Sequence, residues 1–203
     1  MKFEQNQHHR RSIRLKGFDY TSPGGYFVTL VTKGRLCVFG EIVKDEMKYS
    51  EKGQIAYECW RAILDHFPTV ELGAFVIMPN HVHGIIILHE DAASAYENRS
   101  AISSPTVGAQ HVAPLQDTPQ PETPLRDTRL RVQPGSLGSI IRQYKSSVTR
   151  KIVQQYGGVP KIWQRNYYEH IIRNDEEHKR IHLYIESNPL HWISDDENPE
   201  ITS

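Results

Sequence analysis

The chain has 203 residues, and its 24 Lys and Arg balance 24 Asp and Glu, so the formal net charge at pH 7 is zero. The length suits one domain, and a neutral chain gives no general support for nucleic-acid binding, which local basic patches can still provide. No apolar run approaches the roughly 18 residues that span a bilayer, and the polar, basic start lacks the apolar stretch of a signal peptide. Cys37 and Cys59 have apolar neighbours and are expected to be buried thiols in a reducing cytoplasm.

Hydrophobic periodicity predicts strands and helices outside residues 91–134. Aromatic and β-branched runs indicate strands, whereas apolar residues at helical spacing behind a capping Ser50, Ser136 or Asn174 indicate helices. The predicted elements are strands at 26–32, at 36–39 with 42–43, at 73–78 and at 82–88, a helix at 50–66, a helix at 137–155, a strand at 167–173 and a helix at 174–187. This order predicts an α+β fold with helices on one face of a sheet.

Residues 91–134 differ from the rest of the chain in composition. They are rich in Ala, Ser, Thr, Gln and Pro, and the stretch PLQDT at 114–118 recurs as PLRDT at 124–128. Such a segment buries too little apolar area to offset the entropy of ordering it. It is predicted to be a disordered insertion in a single domain spanning 1–203, because too little chain follows for a second core. The acidic tail after Trp192 is expected to be loose.

Two histidines, His81 and His83, lie at the start of a predicted strand. Side chains alternate between the faces of a strand, so residues two apart project from the same face. Two neutral imidazoles held in this way can share one divalent metal ion. In a chain with 11 histidines the same spacing also arises by chance, so the pair alone leaves both interpretations open.

The last predicted helix carries Tyr184 and Asn188, which are four residues apart and therefore lie on one helix face. A tyrosine hydroxyl can attack phosphorus and form a covalent intermediate, and an amide oxygen one turn away can complete a metal shell. Alternatively, Tyr184 packs with Ile181 and Ile185, and Asn188 only ends the helix. The other helical candidate, Tyr144, has apolar neighbours that indicate a ring facing the core.

Three blocks of sequence occur in the order found in a known family. Residues 78–86 (MPNHVHGII) resemble the HUH motif of single-tyrosine transposases, in which His-hydrophobic-His follows a strand and a Pro turn. Residues 162–174 (IWQRNYYEHIIRN) and 184–189 (YIESNP) resemble the matching blocks of REP-associated tyrosine transposases. The resemblance covers most of the chain outside 91–134 and the two ends. It implies a ferredoxin-like fold, with a four- or five-stranded antiparallel sheet backed by helices.

The resemblance also implies an activity. Members are metal-dependent DNA transposases and endonucleases that nick and rejoin single-stranded, hairpin-bearing DNA through a 5′-phosphotyrosine intermediate. By this resemblance Tyr184 is the nucleophile, and His81, His83 and Asn188 are the ligands of a divalent metal, Mg²⁺ or Mn²⁺. Insertion-sequence relatives are dimers and REP-associated relatives can act as monomers, so both a monomer and a homodimer are open.

Basic residues near the start of the chain and in the predicted helix at 137–155 are weaker candidates for holding the DNA backbone, namely Arg14, Arg142 and Lys145. One alternative function is a non-catalytic nucleic-acid-binding module on a ferredoxin-like sheet, which needs exposed aromatic residues such as Tyr26 and Phe27. Another is a metal-dependent phosphodiesterase that activates water, in which Tyr184 is structural. No membrane partner is predicted.

Overall fold

The computed structural model describes residues 19–91, 134–158 and 161–199. Arg14 and nearly all of the insertion predicted at 91–134 lie outside these residues. The strands are β1 (Gly24–Val31), β2 (Gly40–Val43), β3 (Glu46–Tyr49), β4 (Val70–Ile77), β5 (His81–Leu88) and β6 (Tyr168–Ile172). The helices are α1 (Glu51–Arg61), α2 (Ile63–His66), α3 (Leu137–Tyr156) and α4 (Asp175–Ser187), with 3-10 turns at Lys33–Arg35 and Asn188–Ser194.

Four strands form one sheet in the order β4-β5-β1-β6, and every neighbouring pair is antiparallel. In the chain, α1 lies between β1 and β4, and α3 lies between β5 and β6. This topology is ferredoxin-like, so the predicted α+β class and antiparallel sheet are confirmed. The predicted caps are also present, since the side chains of Ser50, Ser136 and Asn174 each accept a backbone N–H from the first turn of the helix that follows.

The region after β1 differs from the prediction. Residues 36–39 form no strand; instead β2 pairs with β3 in a separate hairpin. The two residues at its tip, Lys44 and Asp45, have φ of 52° and 63°, which matches the type I′ turn that suits the twist of a hairpin. This turn contains no glycine, so its residue types do not indicate a hairpin.

The main core lies between one face of the sheet and helices α1 and α3. On β1 every second side chain, Tyr26, Val28 and Leu30, points into it and is at most 1% exposed. Trp60 of α1 packs over Gly84 of β5, where a Cβ atom would lie 2.3 Å from the indole. Glycine at 84 therefore lets the helix approach the sheet closely.

Helix α4 packs on the opposite face, so the helices cover both faces of the sheet rather than the one expected. Its Ile185 is fully buried against Phe27 of β1 and Ile85 of β5. The reason is visible in the strands, because β1 and β5 are nearly continuous apolar runs, as is usual where both faces are covered. This second layer places the C-terminal end of α4 over the first residues of β5.

The described part of the acidic tail, residues 193–199, is bound to the domain, so the expectation that it is loose was wrong for these residues. Asn198 is 3% exposed and donates from Nδ2 to the carbonyl of Trp192 at 2.9 Å. Glu197 forms an ion pair with Arg35 at 3.0 Å. Composition alone could not show that a cation distant in sequence meets this tail.

The two cysteines differ in their exposure. Cys59 is buried as expected, whereas Cys37 is exposed, because it lies in the irregular stretch before β2 rather than in a strand.

Among the described residues, no helix has the length and apolar character needed to cross a bilayer.

The contact between Gly84 and Trp60 is testable by adding one methyl group. Gly84→Ala is expected to lower the free energy of unfolding by about 1–3 kcal/mol, the usual effect of overpacking a core. Gly25→Ala is the matched control, because its Cβ would lie 3.4 Å from the nearest Ile172 atom, an ordinary contact. Urea denaturation measures both, and equal stability of the two variants would contradict the close packing described here.

Candidate active site

His81 and His83 project from the same face of β5, beneath the end of α4, as the period-two spacing predicts. The two rings are 4.4 Å apart between centroids, and the side chains are almost completely buried. The pair therefore lies inside the second layer of the fold, at the end of the sheet where β5 begins.

The side chain of Asn80 orients His81. Its Nδ2 donates to the carbonyls of Arg35 at 3.1 Å and Glu197 at 2.7 Å, so its Oδ1 is left as an acceptor. That oxygen lies 2.8 Å from Nδ1 of His81, which must donate to it. Nε2 of His81 then carries the lone pair that a metal ion needs.

Thr29 of β1 holds His83 in a similar way. Its Oγ1 lies 2.9 Å from Nδ1 of His83, and the two residues are paired directly across β1 and β5. In the tautomer that suits metal binding, Nδ1–H donates to Thr29, and Nε2 accepts from the hydroxyl of Tyr184 at 3.2 Å. Sequence reasoning missed Thr29 because only the strand register brings it to the histidine.

Burial keeps both imidazoles neutral. It lowers the pKa of His81 to about 4, although the nearby Asp195 carboxylate acts in the opposite direction. It also holds the pKa of His83 well below its usual range, and the His81 ring adds to this effect. Neutral rings have lone pairs available for a cation at physiological pH.

Tyr184 is 45% exposed at the end of α4, and its ring lies 5.2 Å from that of His83 between centroids. Burial raises the pKa of its phenol to about 12, and Asp195 contributes to the rise. The rival Tyr144 is 1% exposed and donates to the carbonyl of Ala56 at 3.3 Å, so it is a core residue, in agreement with its apolar neighbours.

Asn188 is buried at the C-terminal end of α4, next to a carboxylate that the sequence analysis did not select. Its Nδ2 donates to Oδ2 of Asp195 at 3.2 Å, and the same oxygen lies 3.9 Å from Nε2 of His81. One ligand atom from each of His81, His83 and Asp195 lies within 4.8 Å of the others, so these three can hold a metal ion. Asp195 gave no local signal, since it is one of several acidic residues in the tail.

The buried acceptors around this group fit a divalent cation. Nε2 of His81 and Oδ1 of Asn188 are buried, and neither makes a hydrogen bond of good geometry with the described residues, although the Asn188 side chain lies close enough to raise the pKa of His81. A buried acceptor without a partner costs about 1–3 kcal/mol, which a bound cation would offset. Imidazole nitrogens bind first-row transition metals, and amide and carboxylate oxygens suit Mg²⁺ and Mn²⁺, so this mixed set of ligand atoms can hold a divalent cation.

Two of the three candidate DNA-binding residues, Arg142 and Lys145, lie on α3, which packs on the face of the sheet opposite to α4. Arg142 is exposed on α3. Lys145, also on α3, donates to the carbonyls of Gln164 at 3.1 Å and Asn166 at 3.0 Å. Arg14 lies outside the described residues. The assignment of all three residues to DNA binding stays a prediction.

The fold and site define a ferredoxin-like domain with a buried histidine pair and a tyrosine above it. An uncharacterized protein of Haemophilus influenzae is 38% identical over 196 residues, which cover 96% of each chain, and this chain belongs to the same family as that protein. No family model matches the chain.

Solved structures with a similar fold include a REP-associated tyrosine transposase bound to a REP hairpin. It has a TM-score of 0.50 and 19% identity, over 83% of this chain and 67% of that one. A Deinococcus radiodurans structure described as a candidate transposase has a TM-score of 0.41 and 15% identity, over 85% of this chain and 95% of that one. The first of these shows that the chain has the fold of a REP-associated tyrosine transposase, as the three sequence blocks predict.

The bond from Thr29 to His83 gives a test of ligand orientation. Thr29→Val keeps the side-chain shape but removes the oxygen, so we expect Mn²⁺ affinity to fall about 10- to 100-fold, as for other groups that orient a histidine ligand. Thr149→Val is the control, since its hydroxyl bonds only to the carbonyl of Lys145 on α3. Isothermal titration with Mn²⁺ measures both, and equal affinities would show that Thr29 does not orient the ligand.

Proposed function

We propose that the protein is a metal-dependent DNA-nicking and strand-transfer enzyme of the single-tyrosine transposase type. The observation that carries this proposal is the 3.2 Å approach of the Tyr184 hydroxyl to Nε2 of His83. A half-exposed tyrosine and two buried, neutral imidazoles thus meet in one chain. The likeness in fold to a transposase solved with a DNA hairpin supports the same activity.

In this proposal His81 and His83 would hold the divalent metal through Nε2, and Asn188 would supply its amide oxygen. Metal binding at His83 would then release the Tyr184 hydroxyl from the Nε2 lone pair that it contacts in this structure. Asp195 adds a carboxylate on the same side of His81. A bound Mg²⁺ or Mn²⁺ would withdraw charge from the scissile phosphate and favour attack at phosphorus. The remaining contribution of the protein is to position the tyrosine and to keep the two imidazoles neutral.

The chemical step in this proposal is the one that the family resemblance implies, with Tyr184 as the nucleophile. Its oxygen forms a bond to the phosphorus of single-stranded DNA while the bond from phosphorus to the 3′-oxygen breaks. The phenol loses its proton, and the departing 3′-oxygen gains one. The product is a 5′-phosphotyrosine and a free 3′-hydroxyl, and attack by a 3′-hydroxyl on this linkage rejoins DNA and restores the phenol.

One chain is sufficient to assemble this site, which supports a monomeric enzyme. Helix α4 packs on its own sheet through Ile185, so Tyr184 and Asn188 reach His81 and His83 of the same chain. A homodimer that exchanges α4 between subunits would have to break this apolar contact.

The proposed alternative of a non-catalytic binding module is disfavoured by the burial of its aromatic candidates. Tyr26 is 1% exposed and Phe27 is 9% exposed, because helices cover both sides of β1. Neither ring can stack on a base. The water-activating phosphodiesterase stays as the competing enzyme, and it differs from the transposase in forming no covalent adduct.

The nucleophile is tested by Tyr184→Phe. With labelled, hairpin-bearing single-stranded DNA and Mn²⁺, the unaltered protein should give a protein–DNA adduct on a denaturing gel, and the variant should give none. Tyr168→Phe is a matched control, because Tyr168 is 44% exposed and also stacks edge-on against Phe27. Cleavage that persists without an adduct in Tyr184→Phe would instead establish the phosphodiesterase.

The ligand set is tested by measuring Mn²⁺ affinity directly. His81→Ala with His83→Ala should abolish binding, and Asn188→Ala and Asp195→Asn should each weaken it by about tenfold or more, since a ligand matters at least as much as the groups that orient it. Asp196→Asn is the control, because it removes the same charge from an adjacent exposed residue. If Asp195→Asn binds Mn²⁺ as tightly as Asp196→Asn, Asp195 is not a ligand.

A further inference from the structure

A basic groove lies beside the candidate active site, between the turn after β1, helix α3 and residues 161–165. It consists of two adjoining depressions of about 850 and 440 Å³, which share Thr149 and Trp163 in their walls. We call it the basic groove, since six cationic residues line it, namely Lys33, Arg35, Lys145, Arg150, Lys161 and Arg165. No Asp or Glu is among the described residues that line either depression.

Two of these cations have a carboxylate or backbone carbonyl partner within the protein, and the guanidinium of Arg150 donates to the hydroxyl of Ser147 at 3.4 Å. Arg35 is paired with Glu197 at 3.0 Å. The ammonium group of Lys145 is held by two backbone carbonyls, and burial lowers its pKa to about 8. The other four are exposed and can contact an anion from solution, namely Lys33, Arg150, Lys161 and Arg165. On a chain of zero net charge, this is a local concentration of positive charge of the kind that binds phosphates.

The wall of the basic groove is held in place before any ligand binds. Lys145 bonds to the carbonyls of Gln164 and Asn166, and Trp163 donates from Nε1 to the carbonyl of Lys145 at 3.1 Å. Thr32 forms a β-bridge with Trp163 at the end of β1. The indole is therefore fixed where the two depressions meet, which reduces the ordering that binding requires.

The basic groove adjoins the histidine pair through Asn80. The carbonyl of Arg35, a groove residue, accepts from Nδ2 of Asn80, and Oδ1 of Asn80 accepts from His81. The backbone at one end of the basic groove is therefore bonded, through Asn80, to the end of the sheet at which His81 lies. Of the three residues that the sequence suggested for DNA binding, only Lys145 is among the described residues that line this groove.

We propose that the basic groove binds the unpaired DNA segment that enters the active site. The exposed cations suit a phosphate backbone, and the Trp163 indole offers a surface on which an unpaired base can stack. A duplex hides its base faces and would use only the charges. The choice of DNA as occupant rests on the proposed function, whereas the preference for a polyanion rests on the groove alone.

The experiment removes two exposed cations with Lys161→Gln and Arg165→Gln, in the Tyr184→Phe protein and with EDTA present, so that neither metal nor cleavage contributes. Anisotropy of a labelled oligothymidine is measured over a salt series. We expect weaker binding and a log–log salt slope smaller by about 1.4, because each single-strand phosphate contact contributes about 0.7. Circular dichroism verifies that the variant is folded.

The matched control is Lys44→Gln with Arg61→Gln, which removes the same charge from exposed residues that line neither depression. If both double variants bind the oligonucleotide equally, or the unaltered groove does not bind it at all, the groove assignment is wrong. An equal loss with the same oligothymidine in a duplex would overturn the preference for single strands.

These results are separable from the test of the nucleophile. Groove-dependent binding without any covalent adduct in the active protein would refute the proposed chemistry and leave the basic groove as a single-strand site. If the active protein forms an adduct but the groove variant binds the oligonucleotide as tightly as the control variant does, the groove assignment is refuted and the proposed chemistry is retained.

Discussion

The pairing of β1 with β5 is the constraint on which the site depends. Its register sets Thr29 opposite His83 and Val31 opposite His81, with apolar residues buried on both faces. A slip of one residue would turn both histidines toward the main core and bring large apolar side chains under α4. Burial on two sides therefore specifies the register, and the register supplies the hydrogen bond that orients His83.

In the candidate active site the Nδ1 atoms of both histidines have hydrogen-bond partners, whereas two buried acceptor atoms have none among the described residues. Asn80 and Thr29 bond to the Nδ1 atoms of the histidines, while Nε2 of His81 and Oδ1 of Asn188 accept nothing from the described residues. A fold selected for stability alone would not leave such acceptors inside, because each costs about 1–3 kcal/mol. Conflicts of this kind are expected where a protein is shaped for a ligand, which is the strongest local argument for a cation between these residues.

Charge is separated across the molecule although its sum is zero. Carboxylates of the tail lie against His81 and Arg35, whereas the four exposed basic residues of the groove have no Asp or Glu among the described residues that line it with them. Under the proposed function this separation would suit phosphoryl transfer on DNA, in which a positively charged surface holds the backbone and a buried metal site acts on one phosphate. The whole-chain charge gave no sign of it.

The sequence by itself determined those parts of the fold that depend on neighbouring residues. Periodicity and capping residues predicted the four strands of the sheet and the three longer helices, and fixed spacings predicted that His81 and His83 share a face, as do Tyr184 and Asn188. The β2–β3 hairpin was missed because its turn has no glycine.

Only the tertiary structure decided which distant residues meet. His83 bonds to Thr29 across 54 positions and to Tyr184 across 101, and Asn80 bonds to the tail across 117. The ordered tail, the proximity of Asp195 to His81, the position of α4 on the second face and the basic groove all arise from such contacts. Their stability depends on packing and strand register in the folded chain, and no local pattern of residue types encodes that.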